Sequence, residues 1–387
     1  MKVGLCAMYA EQWIAGILYL QSIAETLQAL PSPDRPEISV LLPEHARSPH
    51  SEALRPLARH LEYFHSSGKN GWWRSFLPGQ HPTLAGLARK RGIDIIYPLQ
   101  ETPREPLPVP WIGWIPDFQH KRLPECFSPS DIAERDARFQ SLIRHSRHLV
   151  VSSQDALNDL HEFYQVPPDK VSVYPFCIQP RIPSETETAR TAPGDPTDAS
   201  ALPRKFLYFP SQFWKHKNHF CLLRAMALLR KQGLNDVHLV LTGKANDYRF
   251  PQHADEIRAF ITAHGLEHHV HERGFLPRNQ QVVLLRNAAA IVQPSLFEGW
   301  SMLVEECRAW GKPLYLSDIP VHREQSPSRA TFFNANSPEE LAGLIAQDWP
   351  SLTPGPDPVA ESEAALAINR IQAERSRSLL HILRQAC

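Results

Sequence analysis

The sequence predicts an α/β protein made of two doubly wound halves, each a parallel sheet between helices. Three observations carry that expectation. The 387 residues amount to about two and a half domains of ordinary size. Short apolar runs of strand length alternate with helical patterns twice over, once on each side of residue 180. Between the two series, Pro180 to Pro203 is rich in Pro, Thr, Ser and Ala and has no hydrophobic period, so it reads as a linker. The expected division is 1–180, a linker over about 181–204, 205–360, and a helical terminal segment over 361–387.

Taken in order, Val3 to Ala7 is a strand, Tyr9 to Gly16 a loop, and Ile17 to Leu30 a helix. In that helix Leu18, Ile23, Leu27 and Leu30 fall roughly on one face. Further strands are expected at Ile38–Leu42, Ile93–Tyr97, Trp111–Ile115, His148–Ser152 and Val171–Tyr174, the last two each after a helical stretch. Residues 50–81 break this rhythm and contain His65-Ser66-Ser67-Gly68-Lys69-Asn70-Gly71 followed by Trp72-Trp73. A loop of that length is either functional or a surface excursion with two packed tryptophans, and both readings stand.

The second half repeats the alternation. Strands are expected at Phe206–Phe209, Val237–Thr242, Ala288–Gln293 and Leu314–Ser317. Helices are expected at Phe220–Gln232, Glu256–His264, Leu303–Trp310 and Pro338–Gln347, with a long helical pattern over Glu361–Gln385. Two such halves face each other across a cleft lined by strand carboxyl ends, where ligands of open α/β sheets bind.

Composition removes several classes of function. Hydrophobic residues make up 42% and charged ones 21%, which excludes a disordered or fibrous chain. The 41 basic and 41 acidic residues cancel, so no basic stripe marks a nucleic-acid partner. The 36 prolines are about twice the usual share, and the 17 glycines have no period of three, so the chain is loop-rich but not collagenous. Six scattered cysteines lack the close spacing of zinc or redox motifs. There is no apolar run long enough for a signal peptide or a membrane span, so the expected compartment is the cytoplasm.

The densest chemical signal is Gln293-Pro-Ser-Leu-Phe-Glu298-Gly-Trp-Ser-Met-Leu-Val-Glu-Glu306, followed by Gly311-Lys312-Pro313. A strand ends at Gln293, a turn follows, and a helix starts near Met302. The backbone N–H groups over Trp300, Ser301, Met302 and Leu303 then form an anion site. Glu298 in the turn and Glu306 on the helix repel bare phosphate but accept hydrogen bonds from sugar hydroxyls, so the arrangement suits a sugar nucleotide. The plain alternative is a solvated turn followed by a helix with a surface glutamate. A second cluster, Pro210-Ser211-Gln-Phe-Trp214-Lys215-His216-Lys217-Asn218-His219, reads as a phosphate clamp or as a polar loop capped by Asn218. A third, Trp114-Ile115-Pro116-Asp117-Phe118-Gln119-His120, follows a strand and belongs at the mouth of the cleft or in a structural loop. The remaining histidines show no pattern, and most read as surface residues.

The first cluster resembles the E-x7-E signature of retaining GT-B glycosyltransferases of family 4, the group 1 glycosyltransferases. Pro294-Ser295, Phe297-Glu298-Gly299, Glu306 and Gly311-Lys312-Pro313 stand where that pattern has them. Gly274-Phe275-Leu276-Pro277 and the tail Ser317-Asp318-Ile319-Pro320-Val321-His322-Arg323-Glu324 resemble its flanking segments. The resemblance implies a GT-B fold whose C-terminal helix crosses back to the N-terminal domain. It also implies that Lys217 and the helix N–H groups hold the donor diphosphate, that Glu306 binds ribose, and that Glu298 binds a sugar hydroxyl. Ser211 stands where the family often has an arginine, with Lys215 a candidate substitute. Gly243 and Phe275 join the donor-binding set. Gly16, in Trp13-Ile14-Ala15-Gly16, matches the second glycine of a loop that passes near the donor phosphate, although an ordinary turn explains it equally. Asp117 and His120 are the sugar-side candidates, in a variant where Pro116 replaces the usual histidine.

From the resemblance follow transfer of a hexose-type sugar with retention, no metal or other cofactor, and a glycan or lipid-linked acceptor in surface polysaccharide synthesis. No Asp-x-Asp pair suggests a divalent ion. Arg74, Trp72, Trp73, Lys121 and Arg122 are candidates for contact with a membrane surface or a lipid-linked diphosphate. The rivals are a two-lobed binding protein, an enzyme of the same fold that epimerises or hydrolyses sugar nucleotides, and a degenerate member that binds the donor without turnover.

Overall fold

The computed structural model describes residues 1–7, 14–65, 82–181 and 202–387. Trp13, most of the expected linker, and Lys69, Trp72, Trp73 and Arg74 of the long loop lie outside the described residues. The chain divides into two compact units. The first comprises Met1–Lys121, Ser128–Cys177 and Asn369–Cys387; the second comprises Arg122–Phe127 and Ile178–Ile368.

In the first unit the strands are β1 (Lys2–Cys6), β2 (Glu37–Pro43), β3 (His60–Phe64), β4 (Ile95–Leu99), β5 (Trp111–Ile115), β6 (His148–Val151) and β7 (Val171–Val173). They form one sheet in the order β3-β2-β1-β4-β5-β6-β7, with every pairing parallel. Its helices are α1 (Ile14–Gln28), α2 (Pro49–Glu52), α3 (Leu84–Arg91), α4 (Gln119–Arg122), α5 (Pro129–His145) and α6 (Gln154–Phe163). Local chemistry sets their ends. Ser128 and Asp131 form a capping box at the start of α5, and Gly92 ends α3 in the left-handed region.

Two sequence expectations change here. The stretch 50–81 is not a loop throughout, because His60–Phe64 is β3, an edge strand paired with β2. An edge strand needs no continuous apolar run. Its polar Glu62 is held by Lys90 and Arg91 of α3, so alternation alone does not reveal it. Helix α1 begins at Ile14 rather than Ile17, which puts the buried Gly16 in its first turn instead of in a loop.

The second unit contains β8 (Leu207–Pro210), β9 (Leu239–Thr242), β10 (Val270–Glu272), β11 (Ala290–Gln293), β12 (Leu314–Ser317) and β13 (Ala330–Phe333). Its helices are α7 (His219–Lys231), α8 (His253–Ala263), α9 (Arg278–Asn287), α10 (Met302–Ala309), α11 (Pro320–Gln325) and α12 (Pro338–Asp348). The all-parallel sheet has the order β10-β9-β8-β11-β12-β13, that of a doubly wound dinucleotide-binding fold. Both faces are covered. Leu207, Phe209, Leu239, Leu241 and Val292 pack with α7, α8 and α12, while Tyr208, Val240, Ile291, Leu314 and Leu316 pack with α9 and α10. Burial on two faces explains why these strands read as short apolar runs.

Helix α13 (Pro358–Ala386) closes the chain, and from Asn369 onward it belongs to the first unit. There Leu379, Leu380, Ile382 and Leu383 are buried, and Arg384 pairs with Asp34. All six cysteines are unpaired. Among the described residues, no helix is long and apolar enough to cross a membrane.

Candidate functional site

The second sheet reverses its winding between β8 and β11, which are neighbours although the chain leaves them in opposite directions. Loops that follow such a pair diverge and leave a crevice at the strand carboxyl ends. The loop after β8 carries Lys217, and the loop after β11 carries Glu298.

These two side chains meet. Lys217 Nζ donates to Glu298 Oε1 at 2.6 Å. Gln293 Nε2 and Ser295 Oγ donate to the same oxygen, each at 2.7 Å. Three donors therefore pin Oε1, and Oε2 has no hydrogen-bond partner among the described residues. Burial alone would push the Glu298 carboxyl up. The Lys217 ammonium outweighs that and holds it at about 2, so the group is an anion with one oxygen fixed and one open. Behind it, Ser317 Oγ donates to the Ser295 carbonyl at 2.6 Å, and His322 Nδ1 donates to the Ser317 carbonyl at 2.9 Å. This chain joins the ends of β11 and β12 to α11 beneath the carboxylate.

Asn218 stitches the loops together. Its backbone is left-handed at φ 58°, and its side chain donates to the carbonyls of Pro294 and Ala335 at 3.1 and 2.8 Å. It is thus a bridge, not the side-chain cap that the sequence allows. Gly243 makes a second close approach possible. At φ +141°, a Cβ there would lie 2.1 Å from the Ser211 carbonyl oxygen, so only glycine fits. Ser211 itself is buried and its N–H donates to Thr242.

The start of α10 differs from the expected row of open N–H groups. The Gln325 side chain accepts from Ser301 N at 3.2 Å and donates to the Ser301 carbonyl at 2.9 Å and to Glu305 at 3.0 Å. Ser301 Oγ accepts from Val304 N. Among the described residues the N–H groups of Met302 and Leu303 remain without a partner, so the anion site is narrower than Trp300–Leu303. Glu306 is buried and pairs with Arg278 at the start of α9.

Lys215 lies with its ammonium 4.5 Å from the Phe250 ring centroid. A further cation, Arg249, pairs with the buried Asp247 at 3.1 Å and stacks near Trp214 and Phe127. Phe275 is 47% exposed, with Lys244 Nζ 5.3 Å from its ring. Lys312 of the Gly-Lys-Pro element is structural: its ammonium donates to the carbonyls of Arg286, Ala288 and Gly355, and burial lowers it to about 8.

The first unit holds Gly16, Asp117 and His120. Asp117 accepts from Gln119 N at 3.0 Å and so starts α4. His120 is 1% exposed, with Nε2 at 3.0 Å from Asp136 and 3.2 Å from the Tyr164 hydroxyl; burial lowers its pKa. Lys121, a candidate for membrane contact, is committed to Asp136 at 2.6 Å. Most of the other described histidines are at least partly exposed, but His148, His216, His219, His253 and His322 are buried. Sequence reasoning passes over Arg278 and Gln325, which lie just beyond the quoted motifs, and gives Gln293 and Ser295 no role beyond their place in the motif.

Residues 197–347 match the family described as glycosyl transferases group 1. That match runs from before β8 into α12 and includes Lys217, Arg278, Glu298 and Glu306. No curated protein sequence matches the chain. Among solved structures, HepE of Anabaena in complex with UDP and glucose is 17% identical, with TM-score 0.64, covering 98% of this chain and 100% of that one. A glycosyltransferase from Rickettsia africae is 14% identical, with TM-score 0.62 and coverage of 100% and 98%. WaaG, a glycosyltransferase involved in lipopolysaccharide biosynthesis, is 13% identical, with TM-score 0.58 and coverage of 98% and 99%. At these identities the structures establish a shared GT-B fold of two Rossmann-like domains.

Proposed function

We propose that the chain transfers a hexose-type sugar from a nucleoside-diphosphate sugar to a glycan or lipid-linked saccharide, with retention at the anomeric carbon and without a metal ion. The observation that carries this reading is the Glu298 carboxylate, pinned through Oε1 beside Lys217 and open at Oε2. An anion held so firmly next to a lysine repels free phosphate but accepts a sugar hydroxyl. Lys217 keeps two further N–H donors for the diphosphate, and the Met302 and Leu303 N–H groups add the positive end of α10.

The hard step is departure of the nucleoside diphosphate while positive charge builds on the sugar ring. Lys217 and the α10 N–H groups stabilise the leaving diphosphate, a preorganised electrostatic task. Glu298 Oε2 orients the sugar, Glu306 takes the ribose hydroxyls, and the acceptor hydroxyl attacks from the face that the diphosphate leaves. These protein cations do the work that a divalent ion does elsewhere. The UDP bound to HepE supports the donor class, and the pathway of WaaG supports an acceptor in surface polysaccharide synthesis. On this reading the protein works in the cytoplasm, and at the inner membrane face when the acceptor is lipid-linked.

The test is a thermal-shift screen of GDP-, UDP-, dTDP- and CMP-linked sugars, with Lys217→Ala and Glu306→Ala alongside. A stabilising shift for one base, lost in both variants, is expected, followed by glycosylated acceptor rather than free sugar as product. No shift with any nucleotide would sink the reading. A second reading, donor binding without turnover, draws support from two observations: His120 is engaged inside its own unit, and Ser211 brings no charge to the diphosphate. Selective binding with no product on any acceptor is its signature.

A further inference from the structure

The partner of Glu306 supports an inference that rests on the donor reading and deepens it. Each acidic residue around α10 has its own counter-group. Glu298 is held by Lys217, and Glu305 by Gln325 and Arg308. Glu306, 6% exposed, is held by Arg278. Arg278 is the first residue of α9, directly after the Gly274–Pro277 turn, and its side chain is 32% exposed. It is therefore reachable from solvent, whereas the carboxylate it holds is nearly enclosed.

A carboxylate offers about four acceptor positions, and one guanidinium fills at most two of them. The pair thus leaves acceptor capacity on Glu306, in a fixed direction. Without Arg278 the carboxylate would be buried and unpaired, a costly state relieved by swinging away. That movement would remove the acceptor that a ribose hydroxyl needs.

We propose that Arg278 is a positioning residue for the donor's ribose: it keeps the Glu306 carboxylate oriented so that its remaining lone pairs accept the ribose hydroxyls. Arg278 acts through Glu306, so it governs the choice between ribose and deoxyribose more than it governs overall affinity.

The experiment is calorimetric titration of the full chain with UDP and GDP and with their 2′-deoxy forms. In the native protein the ribonucleotide that binds should be preferred over its 2′-deoxy form by about tenfold, the scale of one hydrogen bond to a charged group. Arg278→Ala should bring that preference close to unity and leave the affinity for the 2′-deoxy form unchanged, which also shows that the variant folds. Arg278→Lys should restore part of the preference. The proposal is overturned if Arg278→Ala keeps the preference, weakens both forms equally, as a phosphate-binding cation would, or tightens ribonucleotide binding, as a competitor of ribose would. Nucleotides that bind the native protein with no ribose preference overturn the role of Glu306 as well. Failure of every nucleotide to bind the native protein overturns the donor reading, and this inference with it.

Discussion

Glu298 is the residue on which sequence and structure converge most closely. Its place in the turn was readable from the E-x7-E spacing, but its orientation was not. Gln293 and Ser295 lie five and three residues before it, and nothing in a linear pattern says that both reach the same oxygen as Lys217. The pH behaviour follows from that geometry. The folded carboxyl is held at about 2, below its ordinary 4.5, so its contribution to stability is fully present above about 4.5 and is lost as the pH falls toward 2. Glu298→Gln should therefore cost a few kcal/mol at pH 7, and much less near pH 2. Urea midpoints of the two proteins at both pH values check this, and a penalty that does not change with pH would contradict it. The buried histidines show the opposite limit of legibility. His219 packs against Phe209 and Phe213, and burial holds it at about 3, yet its sequence neighbourhood looks like a polar loop.

At the scale of elements, the central strands were legible because both of their faces are buried. The edges were not. Strand β3 carries His60 and Glu62, and β10 has three residues, too few for a period to show. The start of α10 was placed correctly near Met302, but its N–H groups were counted without Gln325, which comes from α11 more than twenty residues later. Gln325 supplies a partner to the Ser301 N–H and a second one to its carbonyl, beside the cap that Ser301 Oγ makes with Val304 N. Gln325→Ala should leave the buried Ser301 N–H unpaired, while the Ser301 carbonyl still accepts from Glu305 N, at a cost of about 1–3 kcal/mol. It should also weaken nucleotide binding, because the Met302 and Leu303 N–H groups lose their fixed direction. Chemical denaturation and nucleotide titration of one variant test both effects. A loss of stability with unchanged affinity would mean that the clamp serves folding alone.

At the scale of the whole molecule, two doubly wound units were readable from the double alternation of strands and helices. The return of the terminal helix to the first unit is implied by the family resemblance, but the residue at which it changes unit is not, because that depends on contacts far apart in sequence. Helix α13 begins in the second unit and ends in the first, where Leu379, Leu380, Ile382 and Leu383 are buried. Each fully buried aliphatic side chain contributes about 1.5–3 kcal/mol, comparable in sum to the whole stability of a domain. A chain ending at Ile368 should therefore lose the first unit's cooperative unfolding and become sensitive to protease within it. The second unit should keep its nucleotide-induced thermal shift. Loss of that shift as well would show that the two units do not fold independently.

The shared membership of short segments also bears on modularity. Residues 122–127 count with the second unit although they interrupt the first, and residues 369–387 count with the first although they follow the second. A gene cut once, at the linker, yields two fragments that each lack a piece of themselves. Recombination between relatives at that point would transplant the last turns of α13 onto a foreign sheet and leave Phe127 facing a foreign Arg249. A chimera that respects the architecture needs three junctions inside the chain besides the linker, one on each side of the 122–127 segment and one near residue 369.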